Sequence, residues 1–284
     1  MSLFNSRYPI ICAPMNFVSD AKLAIACNRA GIVPSLVCNS NLEEQLKEFR
    51  DFCSKGDLIL AMSPEHISIL IQSKLSYFIT CCRKYEVSHI QLLEFPDANT
   101  FKSLKCAANI KIIYKALSPM DLSKIESYCD AVDLKSPDAA SRVRYTNLTT
   151  MERFLEQKAT NPNLPIIVTG GISTSVEIKM YLDAGAEAVG LGTMFALSEE
   201  SRIDHDKKLE MIKKSFSDVT SIGVNRMNGI VFSETEDKDG NHSSGLRLGR
   251  DTKDRGVIWA GKALDNITEI QSVQTIVDRL TKDL

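Results

Sequence analysis

Short apolar runs and amphipathic stretches alternate along this chain with little between them. Apolar runs at Pro9–Ala13, Ile32–Val37, Leu58–Met62, Val87–Phe95, Ile110–Leu117, Ala131–Leu134, Pro165–Thr169 and Ala188–Leu191 read as strands. The stretches between them have helical spacing. Ser19 is placed to cap a helix through Ala30, which Gly31 stops; Asn41 caps one bearing Leu42, Leu46, Phe49 and Cys53. Pro64 opens a helix with Ile67, Leu70 and Ile71, and further helices are expected over 98–108, 119–128 and 148–158. The last two pairs place Val176, Met180 and Ala184, then Leu209, Ile212 and Phe216, on core-facing stripes. Parallel strands need crossover helices, and eight such units close into a barrel. The expected fold is therefore α/β, a single (β/α)8 TIM barrel over residues 1–216. Residues 217–284 form a C-terminal loop and helical extension packed on the same domain. A doubly wound open sheet is the alternative. It fits less well, because the first βα turn, Ala13-Pro14-Met15-Asn16, has no Gly-x-Gly-x-x-Gly.

Glycines then pick out one end of the barrel. Strand seven runs into Gly170-Gly171-Ile172-Ser173, and strand eight reads Ala188-Val189-Gly190-Leu191-Gly192-Thr193. Glycine lets the backbone approach a ligand, and N–H groups at a helix start face an anion. One Gly-Gly alone only closes a tight turn; two successive units ending this way point to a phosphate cradle, where barrels commonly bind phosphate. Thr174 and Glu177 also have the spacing of a capping box.

Composition narrows the partners. The net charge is −2 at pH 7, which gives no electrostatic case for nucleic acid or a membrane surface. No apolar run is long enough to span a bilayer, and the N-terminal residues lack a signal peptide's apolar region, so a cytoplasmic location is expected. Eight cysteines without a Cys-x-x-Cys pair fit a reducing compartment, with Cys12, Cys81, Cys82, Cys106 and Cys129 in or beside apolar segments. His66, His89, His205 and His242 have no metal-ligand spacing, so no metal is expected. Ser233–Gly256 is polar and aperiodic and reads as a solvated loop; a last helix places Ile270, Val273, Val277 and Leu280 on one face.

Four segments in order resemble the nitronate monooxygenase (2-nitropropane dioxygenase-like) flavoproteins, which include flavin-dependent enoyl-ACP reductases. They are Tyr8–Met15, Pro165–Ile172, Ala188–Phe195 and Ala260-Gly261-Lys262. The resemblance implies FMN as cofactor, with Ala13, Pro14 and Met15 beside the flavin. It places the phosphate on the backbone at Gly170, Gly171, Gly192 and Thr193, with Gly190 in the same strand. On strand six the family reads roughly Gln-Gly-x-Glu-Ala-Gly-Gly-His and takes its catalytic base from that histidine. Here the segment is Lys135-Ser136-Pro137-Asp138-Ala139-Ala140-Ser141-Arg142. Arg142 is always protonated and cannot be a general base, so no catalytic residue is assigned; it is expected on a loop. The family's flavin-contacting Asn on strand three is Ala61 or Met62 here. Lys135 and Lys115 are the candidates for a cation beside the flavin's pyrimidine ring.

The function this implies is an FMN-dependent oxidoreductase resembling nitronate monooxygenase, acting on a small-molecule substrate, with an oligomer compatible with the sequence. Three alternatives stand beside it: an enoyl-ACP reductase-type activity, a Lys-dependent lyase or decarboxylase, and a non-catalytic flavin-binding descendant. The lyase reading rests on Asp133-x-Lys135-x-x-Asp138, in which carboxylates flank a lysine.

Overall fold

The computed structural model describes residues 2–62, 75–93, 102, 104–105, 110–116, 128–142, 148–222, 227–232 and 256–284. Eight of its strands make one parallel sheet. They are β1 (Ile10–Cys12), β2 (Ser35–Val37), β3 (Ile59–Met62), β4 (His89–Leu92), β5 (Lys111–Ala116), β6 (Ala131–Lys135), β8 (Ile166–Thr169) and β9 (Ala188–Leu191). The spatial order is β1-β9-β8-β6-β5-β4-β3-β2. A parallel bridge between Ile11 and Val33 brings β1 beside β2, and Cys12 N–H donates to the Val33 carbonyl at 2.9 Å. The sheet is thus nearly closed, as a (β/α)8 barrel requires.

Helices cover its outside: α1 (Ala21–Arg29), α2 (Leu42–Phe52), α3 (Leu75–Lys84), α4 (Thr150–Thr160), α5 (Ser175–Asp183), the short α6 (Thr193–Ala196), α7 (His205–Met211) and α8 (Val273–Thr281). The stripe on α2 is as expected, with Leu42, Leu46 and Phe49 buried and Cys53 beyond them. Those on α5 and α7 hold only in part, with Ala184 and Ile212 packed against the core. Val176 and Met180 face solvent, while Ser175, Ile178 and Tyr181 face the core. On α7, Leu209 is exposed and Met211 is buried. Both helices are short, nine and seven residues, so few apolar positions mark their core face. Asp20, not Ser19, caps α1, its carboxylate accepting Leu23 N–H at 3.0 Å. Asn41 holds the N-cap position of α2 without a side-chain cap bond. The expected helix after Pro64, Cys106, His66, His242, most of the 98–108 and 119–128 stretches and the 233–255 loop lie outside the described residues.

The C-terminal extension contains a second sheet that helix-and-loop reasoning missed. Strands β10 (Thr220–Ile222), β11 (Met227–Phe232) and β12 (Gly256–Trp259) are antiparallel, and β7 (Ser141–Arg142) joins them. Asn228 pairs with Ser221 on one edge of β11 and with Ser141 on the other, where Gly229 pairs with Trp259. Arg142 is therefore in a strand, not a loop. Helix α8 buries Val273, Ile276, Val277 and Leu280 and packs on α1 and α5.

Candidate functional site

Strand side chains alternate, so each barrel strand presents every second residue to the lumen. Towards the N-terminal end the lumen is apolar. Ile11, Val33, Ile59, Ile113, Ala131, Ile167 and Ala188 form one cluster, plugged from below by Leu3 and Phe4. Two residues further along the same strands stand Ala13, Ser35, Ala61, Lys115, Asp133, Thr169 and Gly190, with Gln91 on β4. The barrel floor is therefore greasy and the layer above it polar. Lys115 Nζ lies 3.0 Å from Asp133 Oδ2, with both side chains buried. Gln91 Nε2 donates to the same oxygen at 2.5 Å. Gln91 Oε1 and Asp133 Oδ1 are buried with no hydrogen-bond partner among the described residues. A buried acceptor left this way costs on the order of 1–3 kcal/mol, which points to a donor completing the cluster. Ala61 is the lumen-facing residue of β3, and Met62 packs outward in the core.

The glycines gather at the C-terminal ends of β8 and β9. Gly170 and Gly171 both have positive φ, +100° and +76°. Gly192 caps α6 with no side-chain hydrogen bond, so the first N–H groups of that turn have no partner in the cap. A Cβ on Gly192 would point at Met15 Sδ and Ala13 Cβ, 3.7 and 3.9 Å away. The Ala13-Pro14-Met15 turn therefore faces the cradle, with Ala13 N–H bonded to the Leu191 carbonyl at 2.9 Å.

The glycines differ in what they do. A Cβ on Gly170 would lie 2.9 Å from Ala139 Cα and closer still to Ala139 Cβ. On Gly190 it would press on Thr169, 3.2 Å from its Cβ. On Gly261 it would lie 2.5 Å from the Asp138 carbonyl oxygen. These three make room for protein; Gly192 leaves room for something else. The expected anion site at the start of α5 is already taken. Glu177 Oε2 accepts Ser173 N–H at 2.9 Å and Thr174 N–H at 3.0 Å, completing the capping box.

The segment after β6 is packed beneath the C-terminal extension. Lys262 N–H donates to the Asp138 carbonyl at 2.9 Å, and Gly261 N–H donates to Thr193 Oγ1 at 3.2 Å. Thr193 thus spends its hydroxyl on the chain itself. Arg153 Nη1 donates to the Lys135 carbonyl at 2.8 Å, which fixes the end of β6. The Arg153 guanidinium is buried, which lowers its pKa. Lys135 is half-buried at the strand end, and Lys115 lies deeper, paired with Asp133.

Among the described residues no histidine stands at the barrel mouth. His89 lies at the opposite end, against the Phe4 ring at 4.7 Å between centroids and the Leu3 carbonyl at 3.2 Å. Burial pushes its pKa down to about 4, so it is neutral, and its place at the far end of the barrel keeps it from replacing the family base. Burial pushes the Cys38 thiol up to about 11 and Cys129 to about 12, so neither is an activated nucleophile. The described residues contain no cluster of metal-ligating side chains. No helix among them is long and apolar enough to cross a membrane. Sequence reasoning singled out the glycine turns and both lysines but passed over Gln91. Continuing the period-two count along β4 would have placed it in the lumen.

The sequence model of the nitronate monooxygenase family matches residues 141–229. No curated protein sequence matches the chain. Among solved structures, FabK from Thermotoga maritima is similar at a TM-score of 0.81 and 20% identity, over 99% of this chain and 93% of that one. Nitroalkane oxidase from Streptomyces ansochromogenes is similar at 0.78 and 17% identity, over 98% of this chain and 96% of that one. The enoyl reductase domain of MlnA from the macrolactin biosynthesis cluster of Bacillus amyloliquefaciens is similar at 0.69 and 12% identity, over 98% and 94%. The chain is thus similar to the nitronate monooxygenase model over residues 141–229 and shares its barrel fold along nearly its whole length with these structures.

Proposed function

We propose that this chain is an FMN-dependent oxidoreductase acting on a small-molecule substrate in the cytoplasm. The observation that carries the reading is the meeting of three backbone elements at the barrel mouth: the left-handed Gly170-Gly171 turn, the uncapped start of α6 at Gly192-Thr193, and the Ala13-Pro14-Met15 turn. Convergent N–H donors suit a dianionic phosphate. Lys135 stands at the end of β6 as the candidate cation beside the ring, while Lys115 lies deeper and is neutralised by Asp133. Bound FMN would contribute reversible electron transfer; the chain's residues bind it, orient it and shield it from water. Gly190 supports the site through Thr169 rather than by contact.

The finer activity lies between oxidation of a nitronate and reduction of an activated alkene. Arg142 at the position of the family histidine favours the second, in which binding positions the alkene and no carbon acid need be deprotonated by that histidine. The lyase reading is weakened, because Asp133 has one oxygen occupied by Lys115 and Gln91.

Titration of the purified protein with FMN tests the reading. The expected result is a visible flavin band on the protein and turnover with an enoyl thioester that Lys135→Ala reduces. A protein that takes up no FMN refutes the proposal. Flavin uptake without turnover of either substrate class makes it a non-catalytic binder.

A further inference from the structure

The loop between β1 and α1 holds an aromatic residue in an unfavourable backbone conformation. Phe17 has φ +64°, and only Glu86 shares a positive φ among the described non-glycine residues. For a bulky L-residue this conformation is disfavoured, and such strain gathers at functional sites. Phe17 is also 53% exposed. The other exposed large apolar residues described are Phe52, Tyr77, Leu155, Val176, Met180, Leu209 and the terminal Leu284; all lie on or beside outer helices or at the chain end. Among these described residues, Phe17 alone stands on a loop at the C-terminal mouth of the barrel.

The loop is built to hold it there. The Met15 carbonyl accepts Val18 N–H at 3.1 Å and Ser19 N–H at 2.9 Å, while buried Ser19 Oγ accepts Met15 N–H at 2.9 Å. These bonds close a tight turn with Asn16 and Phe17 at its apex. Its other side is Met15, whose Sδ lies 3.7 Å from the space above Gly192. Phe17 is thus tied by two residues of backbone to the wall of the candidate site. Glycine at this position would relieve the strain and remove exposed apolar surface, so folding does not explain the phenyl ring.

We infer that Phe17 is a specificity-determining lip of the site, and that it selects substrates carrying an apolar chain beyond the reacting group. This inference rests on the site assignment above. The ring closes over the first carbons of an alkyl tail as the polar end enters the lumen, and its desolvation on binding supplies affinity. Each methylene buried this way is worth about a fourfold gain in binding.

The test is a homologous series of straight-chain nitroalkanes as probes. Their binding is followed by ligand-observed saturation-transfer NMR, with and without FMN, for the wild type, Phe17→Gly and Phe17→Leu. The wild type is expected to bind each longer probe about fourfold more tightly until the chain leaves the lip. Phe17→Gly is expected to flatten this dependence to less than about twofold per methylene, and Phe17→Leu to keep most of it. Thermal stability of Phe17→Gly should equal or exceed that of the wild type. An unchanged chain-length dependence in Phe17→Gly overturns the inference, as does a marked loss of its stability. Loss of FMN uptake by the wild type overturns the cofactor reading separately, because the FMN-free arm still reports on the lip.

Discussion

Two glycines of the cradle should respond in opposite ways to the same added methyl group. In Gly170→Ala the new Cβ falls 2.9 Å from Ala139 Cα, nearer still to Ala139 Cβ, on a backbone at φ +100°. The left-handed conformation costs about 1–2 kcal/mol for an L-residue, and overpacking a rigid neighbour costs a further 1–3 kcal/mol. The expected loss is about 2–5 kcal/mol, or roughly 4–10 °C in melting temperature for a chain of this size. Ala139→Gly removes the Cβ overlap but not the backbone strain. The double variant should therefore recover about 1–2 kcal/mol of coupling energy. In Gly192→Ala the methyl meets only ordinary contacts, at 3.7 Å from Met15 Sδ and 3.9 Å from Ala13 Cβ. Stability should change by less than about 1 kcal/mol, the usual difference between Gly and Ala at an N-cap. The methyl occupies the space between cradle and turn, so FMN affinity should fall about tenfold to a hundredfold. Urea unfolding gives the first quantity and FMN titration the second. If Gly170→Ala is as stable as the wild type, the packing argument is wrong. If Gly192→Ala binds FMN normally, the phosphate is not held at α6.

Other consequences follow from the buried charges. Lys115→Met leaves Asp133 unpaired in the lumen and should cost about 3–5 kcal/mol, whereas Lys115→Met with Asp133→Leu should return most of it, as read by denaturant midpoints. His89 is held neutral, with its pKa lowered to about 4 from 6.5. The unfolded chain takes up that proton first as pH falls, so this contribution is intact above pH 6.5 and is lost between 6.5 and about 4. The loss should reach at most about 3 kcal/mol, and His89→Gln should flatten that part of the stability–pH curve. Glu177→Ala opens the capping box of α5 and should lower stability by about 1–2 kcal/mol in thermal melts.

Sequence pattern reached the barrel because each strand-helix pair is a local object. Apolar runs of four to nine residues, a cap such as Thr174, and the stripe Leu42-Leu46-Phe49 are all written within one element. The glycine turn after β8 was legible for the same reason, since the positive φ of Gly170 and Gly171 leaves its mark on residue choice. Short helices were read in the wrong phase: with two or three turns, Val176 and Met180 looked as good a core face as Ile178 and Tyr181. Strands β7 and β10–β12 escaped because their pairing joins residues far apart in sequence, and no local alternation announces it.

What the amino-acid order determined alone was the succession of elements, and with it the side of the barrel that carries the glycines. Closure between β1 and β2, the Lys115–Asp133–Gln91 cluster and the covering of Gly170 by Ala139 were decided only by tertiary structure. The reason is physical. Local propensity fixes which residues point inward, but whether two inward side chains meet depends on strand order and register, which arise when the whole sheet forms.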